Sequence, residues 1–188
     1  MLTMTHASSA PTILSAVQTA LSKPGASSVT VVGHSLGGAL ALLDGIYLRL
    51  HLPRNVSVRV ITYGMPRVGN QAFANFVDST LRGLVTHVNN REDPVPIVPG
   101  ILLKYHHPSG EIHIQDSGTW DACPGAFSFS LRLRVARSIG LYLTFTQPYS
   151  GQDNPSRLCI VGDVRNIFEG HVAHHDGPYA GITMGMGC

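Results

Sequence analysis

The chain has 188 residues, a formal net charge of +2, 44% hydrophobic residues and only 13% charged residues. That composition fits one packed domain and excludes intrinsic disorder and a charged coiled coil. A balance of +2 is too small to carry nucleic-acid binding. No apolar run reaches the roughly 18 residues of a spanning helix; the longest candidate, Leu36 to Leu48, is broken by Asp44.

In chain order, Met1 to Thr12 lacks a basic stretch followed by an apolar one, so no signal peptide is legible there. Pro11 to Ser22 places Ile13, Leu14, Val17 and Leu21 at helical spacing, and Lys23-Pro24-Gly25 ends that helix. Val29 to Val32 is a β-branched run suited to a buried strand. Leu36 to Leu50 is rich in good helix formers and stops before Pro53. Val56 to Tyr63 predicts a second strand, Asn70 to Leu81 a second helix, and Leu84 to Asn89 a third strand. Leu102 to His106 and Glu111 to Gln115 flank His107-Pro108-Ser109-Gly110, which predicts a hairpin. The alternation of strand and helix predicts an α/β fold with a mainly parallel sheet.

The segment from Ala126 to Gly151 holds three arginines and no acidic residue, so the positive balance of the chain comes from it alone. Its arginines do not share one helical face, which argues against a basic membrane-surface helix. The three cysteines, Cys123, Cys159 and Cys188, form no C-x-x-C pair, so no zinc site is expected. Asn55-Val56-Ser57 is an acceptor sequence for N-glycosylation. Low charge, that sequon and an odd cysteine lean toward an extracellular protein.

Gly33-x-Ser35-x-Gly37 follows a predicted strand and opens a predicted helix, the context in which this motif forms a nucleophile elbow. Small neighbours let the strand and helix crowd together, with space expected at Gly33 and Gly37. The turn raises the Ser35 hydroxyl, and the free N–H of Leu36 is placed to hold an oxyanion. A serine needs a base and the base needs an orienting carboxylate. Asp93 follows the third strand at the rim of the sheet, with Glu92 as its competitor. His171, His174 and His175 lie late in the chain, as the order Ser, Asp, His requires. His106, His107 and His113 belong to the predicted hairpin and offer poorer geometry, and His34 is expected to point away from the site.

Together these residues resemble the fungal class 3 lipases, a branch of the α/β-hydrolases. The resemblance is carried by Val31 to Ala41, by Thr62-Tyr63-Gly64-Met65-Pro66-Arg67-Val68-Gly69-Asn70, and by Val88 to Pro96. It implies one lipase domain over residues 1–188, with Ser35 as nucleophile, Asp93 as acid and His175 as base. His174 stays open as an alternative, because the spacing from His175 to Tyr179 is one longer than the usual pattern. The implied activity is carboxylic ester hydrolysis, first of all of triacylglycerols, at a lipid–water interface and without a metal or organic cofactor. Ile97, Val98 and Ile182 are candidates for an apolar rim in contact with the acyl chain, and core packing accounts for them equally well. Hydrolysis of feruloyl or other soluble esters is the rival activity, and a lipase fragment without catalysis is the rival class.

The sequence departs from the family twice. The family places roughly a hundred residues before the elbow, a count taken from the resemblance alone, whereas 34 precede Ser35. The expectation is therefore the C-terminal part of a lipase, lacking the second oxyanion donor, with residues 29–32 as an unpaired edge strand. Residues 126–151 also interrupt the match. Removing these 26 residues shortens the separation of Asp93 and His175 from 82 to 56 and leaves Cys123 and Cys159 ten apart. The resemblance then implies a Cys123–Cys159 disulfide and an insertion read as translated intron.

Overall fold

Ser28 to His34 form an edge strand, β1, of a five-stranded sheet in the computed structural model, which describes residues 2–123 and 152–184. The insertion expected at 126–151 and Cys188 lie outside the described residues. Helix α1 (Leu2–Leu21) precedes β1, and α2 (Leu36–His51) follows it after a single residue. Then come β2 (Ser57–Tyr63), the two-residue β3 (Gly69–Asn70), α3 (Gln71–Leu81) and β4 (Val85–Asn90). Short strands β5 (Tyr105–His106), β6 (Glu111–Ile114) and β7 (Trp120–Ala122) precede a last small helix, α4 (Ile160–Asp163).

The sheet order is β1-β2-β4-β6-β7. The first four strands are parallel, and β7 is antiparallel to β6. The parallel α/β expectation is therefore met. Val58 and Val60 are buried while Ser57 and Arg59 are exposed, the alternation of a strand covered on one side by helix. Helix α2 packs on β1 and β2 and buries Ala39, Leu42, Ile46 and Leu48 against them, and α1 packs on α2. Asn70 caps α3 by accepting the Phe73 N–H at 3.0 Å. No helix among the described residues is long and apolar enough to cross a membrane.

Three expectations change. Helix α1 begins at Leu2 and runs through Pro11. Proline is favoured in a first helical turn, so in sequence it marks a start, whereas here it sits mid-helix with one backbone hydrogen bond missing. The edge strand β1 is only half buried, and Val32 is 59% exposed. The predicted hairpin at 107–110 does not form. Tyr105 and His106 pair with Asn70 and Gly69, while Glu111 to Ile114 run parallel to His87 to Asn90. The intervening residues turn inward. The Ser109 N–H and hydroxyl donate to the Asp78 carboxylate at 2.9 and 2.8 Å, and buried His107 donates through Nε2 to the Pro96 carbonyl at 2.7 Å.

Two links fasten the later chain to this sheet. Cys123 and Cys159 are disulfide-bonded, with Cα atoms 5.7 Å apart. Buried Arg67 donates from Nε to Asp153 Oδ1 at 2.7 Å. It also donates to the carbonyls of Ile97 and Pro99. Asp153 accepts in addition from the His107 N–H at 3.2 Å and meets His106 Nδ1 at 3.0 Å.

Candidate active site

The parallel register brings the carboxyl ends of β1, β2 and β4 level. His34 pairs with Tyr63, the Ser35 N–H donates to the Tyr63 carbonyl at 2.9 Å, and the Gly64 N–H donates to that of Val88 at 2.9 Å. Ser35 is the single residue between β1 and α2 and holds φ 56°, ψ −130°. That positive φ is the strained conformation of a sharp strand-to-helix turn. A side chain at Gly33 would collide with the backbone of Gly37 and Gly38, and one at Gly38 would come within 3.2 Å of Thr62 and Met65. Gly37 faces open space. The small residues this turn requires are thus Gly33 and Gly38, which corrects the expectation for Gly37. Leu36 opens α2, where helix geometry leaves its N–H without an intrahelical acceptor.

His175 lies on a 3-10 helix spanning Val172–Asp176. Its Nε2 is 2.8 Å from Ser35 Oγ and its Nδ1 is 2.9 Å from Asp93 Oδ2. A carboxylate at Asp93 accepts from Nδ1–H, which leaves Nε2 to accept the Ser35 hydroxyl. Asp93 is fully buried, and its Oδ1 accepts the Val95 N–H at 2.8 Å. The hydrogen bond that His175 donates to Asp93 raises the His175 pKa above its ordinary value, against the effect of burial.

The competitors lie elsewhere. Glu92 reaches His171 at 3.3 Å and His174 at 3.9 Å. The carbonyl of His174 accepts from Asn90 Nδ2 at 2.8 Å. His106 meets Asp153, His107 stacks on buried His87, and His113 approaches the Arg91 carbonyl at 3.0 Å. Burial pushes His87 and His107 down to about 3, so both stay neutral near neutral pH. Ile97 is buried against Ile160 and Val164, so it is core and not rim, whereas Val98 and Ile182 are exposed. Asn55 is exposed in the turn before β2. Among the described residues, the donor atoms that gather as a metal site would require are those of Glu111, Cys123 and Cys159, and the two sulfurs are bonded to each other.

Three contacts of this site escape a reading of the sequence. Gly64 has φ +53°, and a Cβ there would lie 2.8 Å from Asp93 Oδ2 and 2.9 Å from His175 Nδ1. Its signal was its place between Tyr63 and Met65 in a matching motif, without a reason attached. Buried Tyr179 donates its hydroxyl to the His175 carbonyl at 3.1 Å. His34, expected to point away, instead turns toward His175. Its Nε2 is 2.8 Å from the same carbonyl, and the two rings are in contact, with centroids 4.6 Å apart and a 35° tilt between their planes.

The sequence profile of class 3 lipases matches residues 2–103. The secreted mono- and diacylglycerol lipase MDL2 of Malassezia globosa is 42% identical over 113 residues, which is 59% of this chain and 37% of that protein. MDL3 of the same organism is 37% identical over 133 residues, 68% of this chain and 43% of that protein. The chain thus spans about two fifths of the length of these curated relatives. Lipase II from Rhizopus niveus superposes with a TM-score of 0.73 at 26% identity, covering 98% of this chain and 58% of that one. A triacylglycerol lipase whose catalytic centre is formed by a serine protease triad superposes at 0.57 with 33% identity, covering 61% of this chain and 44% of that one.

Proposed function

This chain belongs to the class 3 lipase family, and from that premise we propose that it hydrolyses carboxylic esters of acylglycerols through Ser35, His175 and Asp93. The observation that carries the reading is the unbroken relay of 2.8 Å from Ser35 Oγ to His175 Nε2 and 2.9 Å from His175 Nδ1 to Asp93.

In this reading the Ser35 hydroxyl attacks the ester carbonyl while His175 Nε2 takes its proton. The imidazolium that forms is held by Asp93, and the Leu36 N–H receives the charge that develops on the carbonyl oxygen. His175 then returns the proton to the alcohol oxygen, which leaves an acyl-Ser35. Water then gives a proton to His175 as its oxygen adds to the acyl carbonyl; the acyl–Oγ bond breaks, His175 returns the proton to Ser35 Oγ, and the fatty acid is released. These residues complete the cycle without a redox or metal-bound step. The exposed side chains of Val98 and Ile182 offer an apolar surface to an acyl chain.

Triacylglycerol is the substrate of first choice. The relatives named as secreted mono- and diacylglycerol lipases favour partial glycerides as the second, and their secretion favours an extracellular setting and a lipid–water interface. The test is labelling of the purified chain with a fluorophosphonate, with Ser35→Ala as control, followed by hydrolysis of emulsified long-chain tri-, di- and monoacylglycerols against a soluble short-chain ester. Labelling at Ser35 with a preference for emulsion supports the proposal. Labelling with a preference for dissolved esters, feruloyl esters included, replaces lipase with esterase. Absence of labelling defeats hydrolysis by this chain.

A further inference from the structure

We propose that His34 is a positioning residue that holds the base His175 against the nucleophile beside it. The inference rests on the proposed roles of Ser35 and His175. His175 sits on a five-residue 3-10 helix, a kind of segment with poor internal hydrogen-bond geometry. Its placement therefore depends on contacts from outside. The His171 N–H donates to the Glu92 carbonyl at 2.8 Å, and Asn90 Nδ2 donates to that of His174 at 2.8 Å. At His175 itself the carbonyl receives two side-chain donors, the Tyr179 hydroxyl at 3.1 Å and His34 Nε2 at 2.8 Å. Those two use both lone pairs of that oxygen.

His34 adds a second constraint that Tyr179 does not supply. Its ring packs against the His175 ring, with centroids 4.6 Å apart and the planes tilted by 35°, so one residue touches both the backbone and the ring of the base. His34 also directly precedes Ser35 and ends β1. The backbone that aims the hydroxyl thus carries the clamp on the imidazole, although the two reacting residues are 140 positions apart. A displacement of about 1 Å in such a relay costs on the order of 10²-fold in rate.

Histidine supplies both a donor and a flat face, and substitutions separate these from the filling of space. Leucine fills the volume with neither, glutamine keeps a donor, and phenylalanine keeps a face. The experiment measures kcat, KM and the pH profile of kcat/KM on a soluble ester for the wild type, His34→Leu, His34→Gln and His34→Phe. His51→Leu serves as control, since His51 also stacks on a ring and bonds a carbonyl, both of Tyr47, outside the site. His34→Leu is expected to lose about 10- to 100-fold in kcat with KM within about twofold. Its acid limb is expected to move to lower pH as the His175–Asp93 bond loosens, with part of kcat restored in Gln or Phe. If the Leu variant does not fold, Phe takes its place as the variant without the donor and Gln as the variant without the face. A Leu variant, or both substitutes, with the kcat and acid limb of the wild type overturns the role of His34. A wild type that neither hydrolyses the ester nor takes up the fluorophosphonate overturns the hydrolytic reading, and this inference falls with it.

Discussion

Nδ1 of His175 lies 2.9 Å from Oδ2 of Asp93, a side chain with no exposed surface. Asp93→Asn keeps the shape of this contact but offers an amide N–H or O to the ring, which unsettles the tautomer that leaves Nε2 free to accept. We expect a fall in kcat on the order of 10⁴-fold, read on a soluble ester and by the rate of fluorophosphonate labelling. The pH dependence has a defined sign. The proposed mechanism needs neutral His175, so activity is expected to rise with pH through the His175 pKa, which the hydrogen bond to Asp93 raises above 6.5. The acid limb of kcat/KM therefore lies above that value and moves down in the Asn variant. A limb that stays in place would show that another group controls it.

The elbow predicts opposite results for two glycines of one motif. A Cβ at Gly33 runs into the backbone of Gly37 and Gly38, while one at Gly37 meets nothing within 4 Å. Gly33→Ala should destabilise the chain by about 1–3 kcal/mol, as forced overpacking does. Gly37→Ala should stabilise it by about 0.5–1 kcal/mol, because alanine in a helix loses less conformational freedom than glycine. Thermal melting of both variants checks the pair, and equal shifts would contradict the geometry.

Asp153 holds the buried guanidinium of Arg67, whose side chain is 2% exposed. Asp153→Ala leaves that cation without a counter-charge and frees the His107 N–H. A loss of about 3–5 kcal/mol in chemical denaturation is expected. Asp153→Asn, which keeps an acceptor for the Arg67 Nε–H, should lose less. A neutral outcome for alanine would mean that water reaches Arg67.

Burial raises the Glu111 pKa to about 7, although its Oε1 accepts the Ile160 N–H at 2.7 Å. Between its ordinary 4.5 and that value the folded chain keeps a proton that the unfolded chain releases. The contribution of Glu111 is therefore fully present below 4.5 and is lost as pH rises through 7. Glu111→Gln removes this dependence while keeping the Ile160 acceptor, so its gain in Tm over the wild type should be larger at pH about 8 than at pH about 4. His87 and His107 act in the other direction. Their folded values near 3 make stability fall as pH drops from 6.5 toward 3 in both proteins.

What could be read from the sequence was what periodicity and turn chemistry encode locally. The strand, serine and helix around Ser35 are each specified within a few residues, and the parallel sheet follows from their alternation. Pairing partners are not encoded that way. Glu111 to Ile114 have the pattern of any strand, and nothing in it distinguishes a hairpin return from a parallel run beside β4. The choice among Glu92, Asp93, His174 and His175 depended on resemblance, because adjacent residues on a 3-10 helix or in a loop point in different directions. The turn of His34 onto His175 depends on a fold that closes over 141 positions, and no local signal carries it.

The bond between Cys123 and Cys159 fixes two points of the chain 5.7 Å apart, whatever runs between them. The cost of closing a loop grows only with the logarithm of its length. Shortening the separation from 36 to ten by removing residues 126–151 changes that cost by about 1 kcal/mol. The anchorage is therefore a place where a gene could gain or shed a stretch of this size with little thermodynamic penalty. Long and short forms of the chain should dock the α4 segment on the sheet in the same way.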